Sequence, residues 1–420
     1  MNNITTAILL LNAIAILFLP RRWAPIPLLI GALYVVSGQR IMIGSFNFNV
    51  IRILIATGLV RVIIRGDRLE GQMNGLDKLM MVWTFWMLVS SCFHKDLSAA
   101  FINRLGLVYD ACGTYFLLRI FIRSFDEIKD ICQITAILLL PVAIEMLYEK
   151  QTDHNLFFAL GGGQDISPIR EGHIRARGSF AHAILAGTVG AVCLPLMICL
   201  WHQHRKTAIA GILACVTIVF ACASSGPILS AMAAFGALFL WRYHNQPHRL
   251  RFILWFAVMI YIALDLVMKD PAYYIIARID LAGGSTGWHR ARLIQSSIEH
   301  LSEWWLGGTN YTRHWMPSGV TWSAAHTDIT NHYLQQGVVG GLPLMFLFIS
   351  ILYKGFSIVG NTLWQATDLT RETRFMLWSL GSSLFAHAVT LTSVSYYDQS
   401  FLFLYITLAA IGSARSVTLL

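Results

Sequence analysis

Charge is the scarcest ingredient of this sequence. Only 13% of its 420 residues are Asp, Glu, Lys or Arg while 56% are hydrophobic, and mean hydropathy is +0.60. Soluble domains carry about a quarter charged residues, so this composition calls for lipid as its solvent. Metal-type cysteine spacing is also missing. Cys92, Cys112, Cys132, Cys193, Cys199, Cys215 and Cys222 lie in or beside apolar runs and read as small hydrophobes. The apolar runs do not alternate, which excludes barrel strands. Gly161-Gly162-Gly163 follows no strand and precedes no GK[ST], so it is no nucleotide loop. No repeat of fixed period and no inverted symmetry is visible, which speaks against a secondary transporter. The net charge of +9 comes from basic residues scattered between apolar runs, a distribution that does not suit nucleic acid.

What is present is a succession of apolar runs, each long enough to cross a hydrocarbon layer about 30 Å thick as a helix. They fall at 4–19, 24–38, 48–64, 77–93, 102–121, 128–148, 181–201, 207–223, 226–241, 252–268, 333–353, 375–394 and 400–414. The expectation is an all-α polytopic membrane protein of twelve or thirteen transmembrane helices, forming a single integral membrane domain over 1–420. The first run, Ile4 to Leu19, has no basic residue before it and no small-residue cleavage site, so it reads as a helix and not as a removable signal peptide.

Basic residues fix an orientation. Arg21, Arg22, Arg61, Arg65, Arg68, Lys78, Arg119, Arg123, Lys129, Arg205, Lys206, Arg242, Arg249, Arg251, Lys354, Arg371, Arg374 and Arg415 fall on one side. The short connections opposite hold only Arg40, Arg52, Lys95 and Arg104, so the rich side is cytoplasmic and the amino terminus is outside. Two long segments, 149–180 and 270–332, then lie on the non-cytoplasmic face. They are rich in Trp, His, Arg and Gly, unlike disordered linkers, and are the expected active face.

The first loop ends Arg170-Glu171-Gly172-His173-Ile174-Arg175-Ala176-Arg177-Gly178-Ser179-Phe180-Ala181-His182, directly before an apolar run. A basic collar for lipid headgroups is the competing reading, but on the outer side it opposes the orientation rule. The second loop carries Gly283-Gly284-Ser285-Thr286-Gly287-Trp288-His289-Arg290-Ala291-Arg292 and an amphipathic helix to about His300, capped by Gly287 or Thr286. Trp288, Arg292, Gln295 and Glu299 share one face of it, so Arg290 and Arg292 have different partners, and Glu299 competes for Arg292. Further on come Trp304-Trp305-Leu306-Gly307-Gly308-Thr309-Asn310 and His326-Thr327-Asp328-Ile329-Thr330-Asn331-His332-Tyr333-Leu334. His289, His300, His314, His326 and His332 contain no HExxH pair and have no Cys partner, so no metal and no cofactor are expected.

Arginines at a membrane boundary with His and Asp nearby suit an anionic head group on a lipid tail. A guanidinium grips diphosphate oxygens bidentately and stabilises a departing diphosphate, a His or carboxylate takes a proton from an incoming sugar hydroxyl, and aromatic rings such as Trp288 stack on sugars.

The chain resembles the O-antigen ligase and polymerase-like membrane proteins, a family that includes exopolysaccharide polymerases and is similar to GT-C-type glycosyltransferases. The likeness is best over residues 170 to 345. Arg175-Ala176-Arg177-Gly178-Ser179-Phe180-Ala181-His182-Ala183-Ile184 looks like the family's Arg-x-x-Gly-Pro-Phe-x-His-Pro-Ile, with Ser179 and Ala183 where proline is usual. Ser285 to Asn310 looks like its Ser-Gly-Arg stretch, helix and closing glycines, with its Arg falling on Arg290 in a shifted register and Arg292 as the alternate. Asn331-His332-Tyr333-Leu334 looks like its His-Asn-x-Tyr-Leu segment, with Thr330 in place of the His, which leaves His326 or His332 for that role. The resemblance implies transfer of a glycan from an undecaprenyl-diphosphate carrier to a glycan or lipid-linked acceptor, at the periplasmic or extracellular face of a bacterial inner membrane. Arg175, Arg177 and Arg290 would hold the diphosphate, with His326 or Asp328 as base and His182, Arg292, His332 and Trp288 binding substrate. The reading from another class is a transporter or flippase of anionic lipid-linked sugars. It would need ionisable groups inside the spans, where Asp110, Glu145 and Asp265 are the only carboxylates well inside.

Overall fold

The computed structural model describes all of the 420 residues except 37, 45, 162, 280, 282–286, 318, 366–368 and 418–420, and the side chains of 415–417. Gly283, Gly284, Ser285 and Thr286 of the second loop thus lie outside the described residues, as do Gly162 and the side chain of Arg415.

Helices make up 72% of the structure. In chain order they are α1 (Asn3–Phe18), α2 (Ile26–Tyr34), α3 (Val50–Arg65), α4 (Gly75–Val89), α5 (Leu97–Val108), a π turn (Tyr109–Gly113), α6 (Thr114–Phe121), α7 (Phe125–Thr152), α8 (Ala183–Cys199), α9 (Arg205–Ala221), α10 (Ser225–Phe239), α11 (Pro247–Val267), the short α12 (Ile275–Arg278), α13 (Gly287–Glu299), the short α14 (Leu301–Trp304), α15 (His332–Gln365), α16 (Arg371–Thr390) and α17 (Phe401–Val417). Two small antiparallel hairpins join them, β1 (Arg40–Ile43) with β2 (Phe46–Asn49) and β3 (Ile169–Arg170) with β4 (His173–Ile174). Four helices are long and apolar enough to cross a membrane, namely Gly75–Phe93, Phe125–Thr152, Pro247–Val267 and His332–Gln365, and the protein is a membrane-associated all-α chain.

Every expected apolar run falls on helix. The run at 24–38 is helical only from Ile26 to Tyr34, because Pro25 opens α2 and Val35 turns extended. Short polar residues, Asn2, Asn49, Asn74, Asp96, Ser124 and Thr370, cap α1, α3, α4, α5, α7 and α16. Asn74 accepts from the backbone N–H groups of Leu76 and Asp77, and Asp77 accepts from Asn74 in return, a reciprocal cap for α4.

Consecutive apolar segments run in opposite directions between two faces of the bundle. On one face the Asn2 side chain donates to Leu160 O (2.6 Å), Ala176 N to Ala221 O (3.2 Å), and His332 N to Leu391 O (2.8 Å). On the other, Arg21 pairs with Glu127 (2.6 Å), Arg61 donates to Leu19 O (2.6 Å), and Asn74 to Gly412 O (3.1 Å). Both long loops sit on the first face.

α15 is broken at Gly340 and Gly341. Gly341 has φ +75°, and a Cβ on it would lie 2.1 Å from Leu306 O. Only glycine combines that backbone with so close an approach, which docks the turn after α14 against the break.

Candidate functional site

The loop before α8 is shaped by carboxylates at the end of α7. Glu149 is fully buried, accepts from the Ser167 hydroxyl (2.5 Å), and takes the backbone N–H groups of Arg177 (3.0 Å) and Gly178 (2.8 Å). Glu145 accepts from Leu156 N (3.0 Å). With both ends so held, the Arg175 side chain turns inward. His182 caps α8, its Nδ1 accepting from Ile184 N (3.2 Å), so the neutral ring carries its proton on Nε2.

The segment between α16 and α17, residues 391–400, ties the arms of the site together. Ser393 O accepts from Arg290 Nε (3.0 Å), Ser395 Oγ donates to Ile329 O (2.7 Å), Asp398 accepts from Ala181 N (3.0 Å), and Gln399 Nε2 donates to Ser179 O (2.8 Å).

Between these pieces lies a cavity of about 1060 Å³. Arg175, His182, Arg290, His326, Asp328 and His332, drawn from both loops, all line it. Arg175 and Arg290 are each 8% exposed, and no carboxylate pairs with either among the described residues. The buried Nε of Arg175 has no hydrogen-bond partner there at all. Burial first, then the charge of Arg170, holds the Arg175 guanidinium below its ordinary pKa. For Arg290 burial leads again, followed by Arg170 and Arg175, with Asp328 opposing. The Arg290 guanidinium therefore feels the charge of Arg175 across the cavity. A buried cation without a counter-charge is costly by several kcal/mol, and an anion entering the cavity would relieve that cost.

Asp328 is held above the ordinary carboxylate range by burial, against the pull of His289 and Arg290. That makes it a stronger base than a solvated carboxylate. Burial lowers His326. Burial, then the cations of Arg175, Arg177 and Arg170, bring His182 to about 4, so near neutrality it is an uncharged donor through Nε2. His332 lines the cavity yet is already engaged. Its Nδ1 accepts from Tyr396 N (3.4 Å), Gln336 contacts its Nε2 (3.2 Å), and Phe348 packs on its ring.

Three expected site residues do not reach the cavity. Arg177 is consumed locally, its guanidinium donating to Gln164 O (2.7 Å). Arg292 pairs with Glu299 (3.5 Å) on the opposite face of α13 from Arg290. Trp288 is 60% exposed and also lies off the cavity. Conversely, Arg170, Arg40, Arg52, Arg104 and Tyr397 line it without having been singled out as site residues. The signal for Arg40, Arg52 and Arg104 was available: they are basic residues on the side where the orientation rule leaves few. Arg52 is already neutralised, bidentate to Asp110 (2.7 and 2.6 Å), which the π turn presents to it. Asp265 likewise has a structural role, accepting from Ala272 N (2.8 Å).

Comparison of the chain with known protein families, curated proteins and solved structures returns no match.

Proposed function

We propose that this protein is a membrane glycosyltransferase of the polymerase or ligase type, moving a glycan from an undecaprenyl-diphosphate carrier to an acceptor sugar. The observation that carries the reading is the pair of buried guanidinium groups of Arg175 and Arg290 in one cavity, neither of them in a salt bridge among the described residues. They donate hydrogen bonds to the diphosphate oxygens, and His182 donates a further one from Nε2. The acceptor hydroxyl oxygen attacks the anomeric carbon, and Asp328 takes the hydroxyl proton. The bond from that carbon to the diphosphate oxygen breaks, and the lipid diphosphate leaves with the electron pair, its growing charge met by the two arginines.

In this reading thirteen segments traverse a bacterial inner membrane in a GT-C-like plan, with the amino terminus and both loops outside. The O-antigen ligase-like resemblance is consistent with it through the same residues. The transporter alternative has less behind it, since Asp110 is held by Arg52 and Asp265 accepts from Ala272 N, which leaves the buried Glu145 Oε2 as its one unpartnered in-span carboxylate oxygen among these three residues.

The test is reconstitution with a lipid-linked oligosaccharide. Arg175→Ala and Arg290→Ala should each lower transfer by about 10² to 10³-fold, with Lys replacements only partly restoring it. Full transfer by both Ala variants would refute the assignment, and movement of lipid between leaflets without a new glycosidic bond would favour the transporter.

A further inference from the structure

Away from the cavity, the outer edge of the second loop gathers His300, Glu303 and His314, with one potential ligand atom from each within 4.8 Å of the others. We propose that these three side chains form a binding site for a zinc-class divalent cation, with water completing a tetrahedron. It stands independently of the transfer reaction, and it departs from the expectation that the loop's histidines bind no metal.

The donor set is two imidazoles and a carboxylate, which suits zinc and its neighbours over calcium or magnesium. On a tetrahedral zinc, ligand atoms lie roughly 3.3 to 3.6 Å apart, so small side-chain rotations close the site. His314 Nε2 already lies 2.9 Å from a Glu303 carboxylate oxygen.

The surroundings are arranged as metal-binding imidazoles require. His300 Nδ1 lies 2.9 Å from Ser296 O, and a carbonyl only accepts, so the proton sits on Nδ1 and the Nε2 lone pair is free. The Trp315 indole N–H donates to Glu303 (3.2 Å) and orients the carboxylate. Burial opposes ionisation of Glu303, but the hydrogen bonds from His314 and Trp315 outweigh it and hold the carboxyl below its usual range. The His314 ring stacks on Tyr311 with centroids 5.3 Å apart, and His300 stacks on the buried Trp315 at 6.0 Å. An apolar backing thus fixes both rings, while the Glu303 and His314 side chains stay 36% and 37% exposed and open to an arriving ion.

The position gives the site a consequence. His300 and Glu303 lie at and in α14, and His314 lies in the turn Arg313–Trp315. The chain between them carries Thr309 and Asn310, which line the large cavity. A bound ion would pin both ends of that stretch.

The full chain in nanodiscs, titrated with zinc alone against a chromogenic chelator, tests the proposal. The expected result is one zinc per chain, with affinity at least about tenfold lower in His300→Ala and in Glu303→Gln. His248→Ala, an exposed histidine elsewhere, should bind as the parent does. Absence of stoichiometric binding, or unchanged affinity in a His300→Ala/His314→Ala double variant, overturns it. Should the variants not fold, the parent protein decides: zinc but not magnesium should raise its melting temperature and slow amide exchange over 300–315. No difference between the two ions overturns the proposal as well.

Discussion

α8 and α11 are both apolar helices, one following the first long loop and the other leading into the second, yet their surroundings are opposite. Every α8 residue from Ala183 to Met197 is buried, and none of the 21 residues of α11 is. Side-chain size separates them. Ala183, Gly187 and Ala191 recur every four residues, as do Ala186 and Gly190, and this lets α9 come so close that a Cβ on Gly190 would sit 2.8 Å from Cys215 O. α11 presents Phe252, Trp255 and Phe256 outward, large groups that suit lipid tails. The two arms of the cavity are consequently built differently. Arg175 stands on a loop locked to the centre of the bundle, whereas Arg290 reaches the cavity at the end of a path from a peripheral helix and is secured there by the 391–400 segment.

The strongest way to break this comparison is to add the same bulk to both helices. Gly190→Val should cost about 3 kcal/mol of stability in thermal unfolding of the detergent-solubilised protein, since backbone on α9 cannot yield. Ala257→Val should stay within about 0.5 kcal/mol. Equal effects would mean α11 is as tightly packed as α8.

A smaller effect sharpens the contrast between the loops. Arg175→Met should raise stability in the absence of substrate by about 1 to 3 kcal/mol, because it removes a buried cation with no counter-charge. The same change at the half-buried, Glu299-paired Arg292 should leave the melting temperature where it was. A destabilised Arg175→Met protein would show that the guanidinium is a packing element and not a site held ready for an anion.

The smallest expected change concerns pH. His182 falls from an ordinary value of 6.5 to about 4 in the folded protein. Between those values the unfolded chain binds a proton that the folded chain does not, so this contribution to stability is complete above about pH 6.5. It is lost progressively as the pH falls toward 4. His182→Gln should flatten the acid limb of a stability profile, and an unaltered limb would place the sensitivity elsewhere.

Much of this architecture was legible in the amino-acid order. Apolar periodicity located the helices because lipid tolerates little else, and the arginines that break the charge rule pointed to both cavity arms. What stayed hidden depended on contacts distant in sequence. Nothing near Arg177 reveals that Gln164 takes its guanidinium, and the pairing of Arg292 with Glu299 could be entertained but not decided. The fastening role of 391–400 escaped notice because its bonds to Arg290, Ile329, Ala181 and Ser179 cross many residues, although Ser395-Tyr396-Tyr397-Asp398-Gln399-Ser400 is a conspicuously polar stretch between two apolar helices. The break in α15 at Gly340-Gly341 was not expected within the run 333–353, because the Leu306 carbonyl that makes it obligatory approaches from another part of the chain.

That late fastening segment also sets an order of events. The chain is made from its amino terminus, so Ala181 and Arg290 emerge from the ribosome long before Asp398 and Ser393, their eventual partners. Until those last turns have been synthesised, the nascent protein lacks the bonds that fasten Ala181 and Arg290 to one segment. An incomplete chain is therefore one whose pocket is still unfinished.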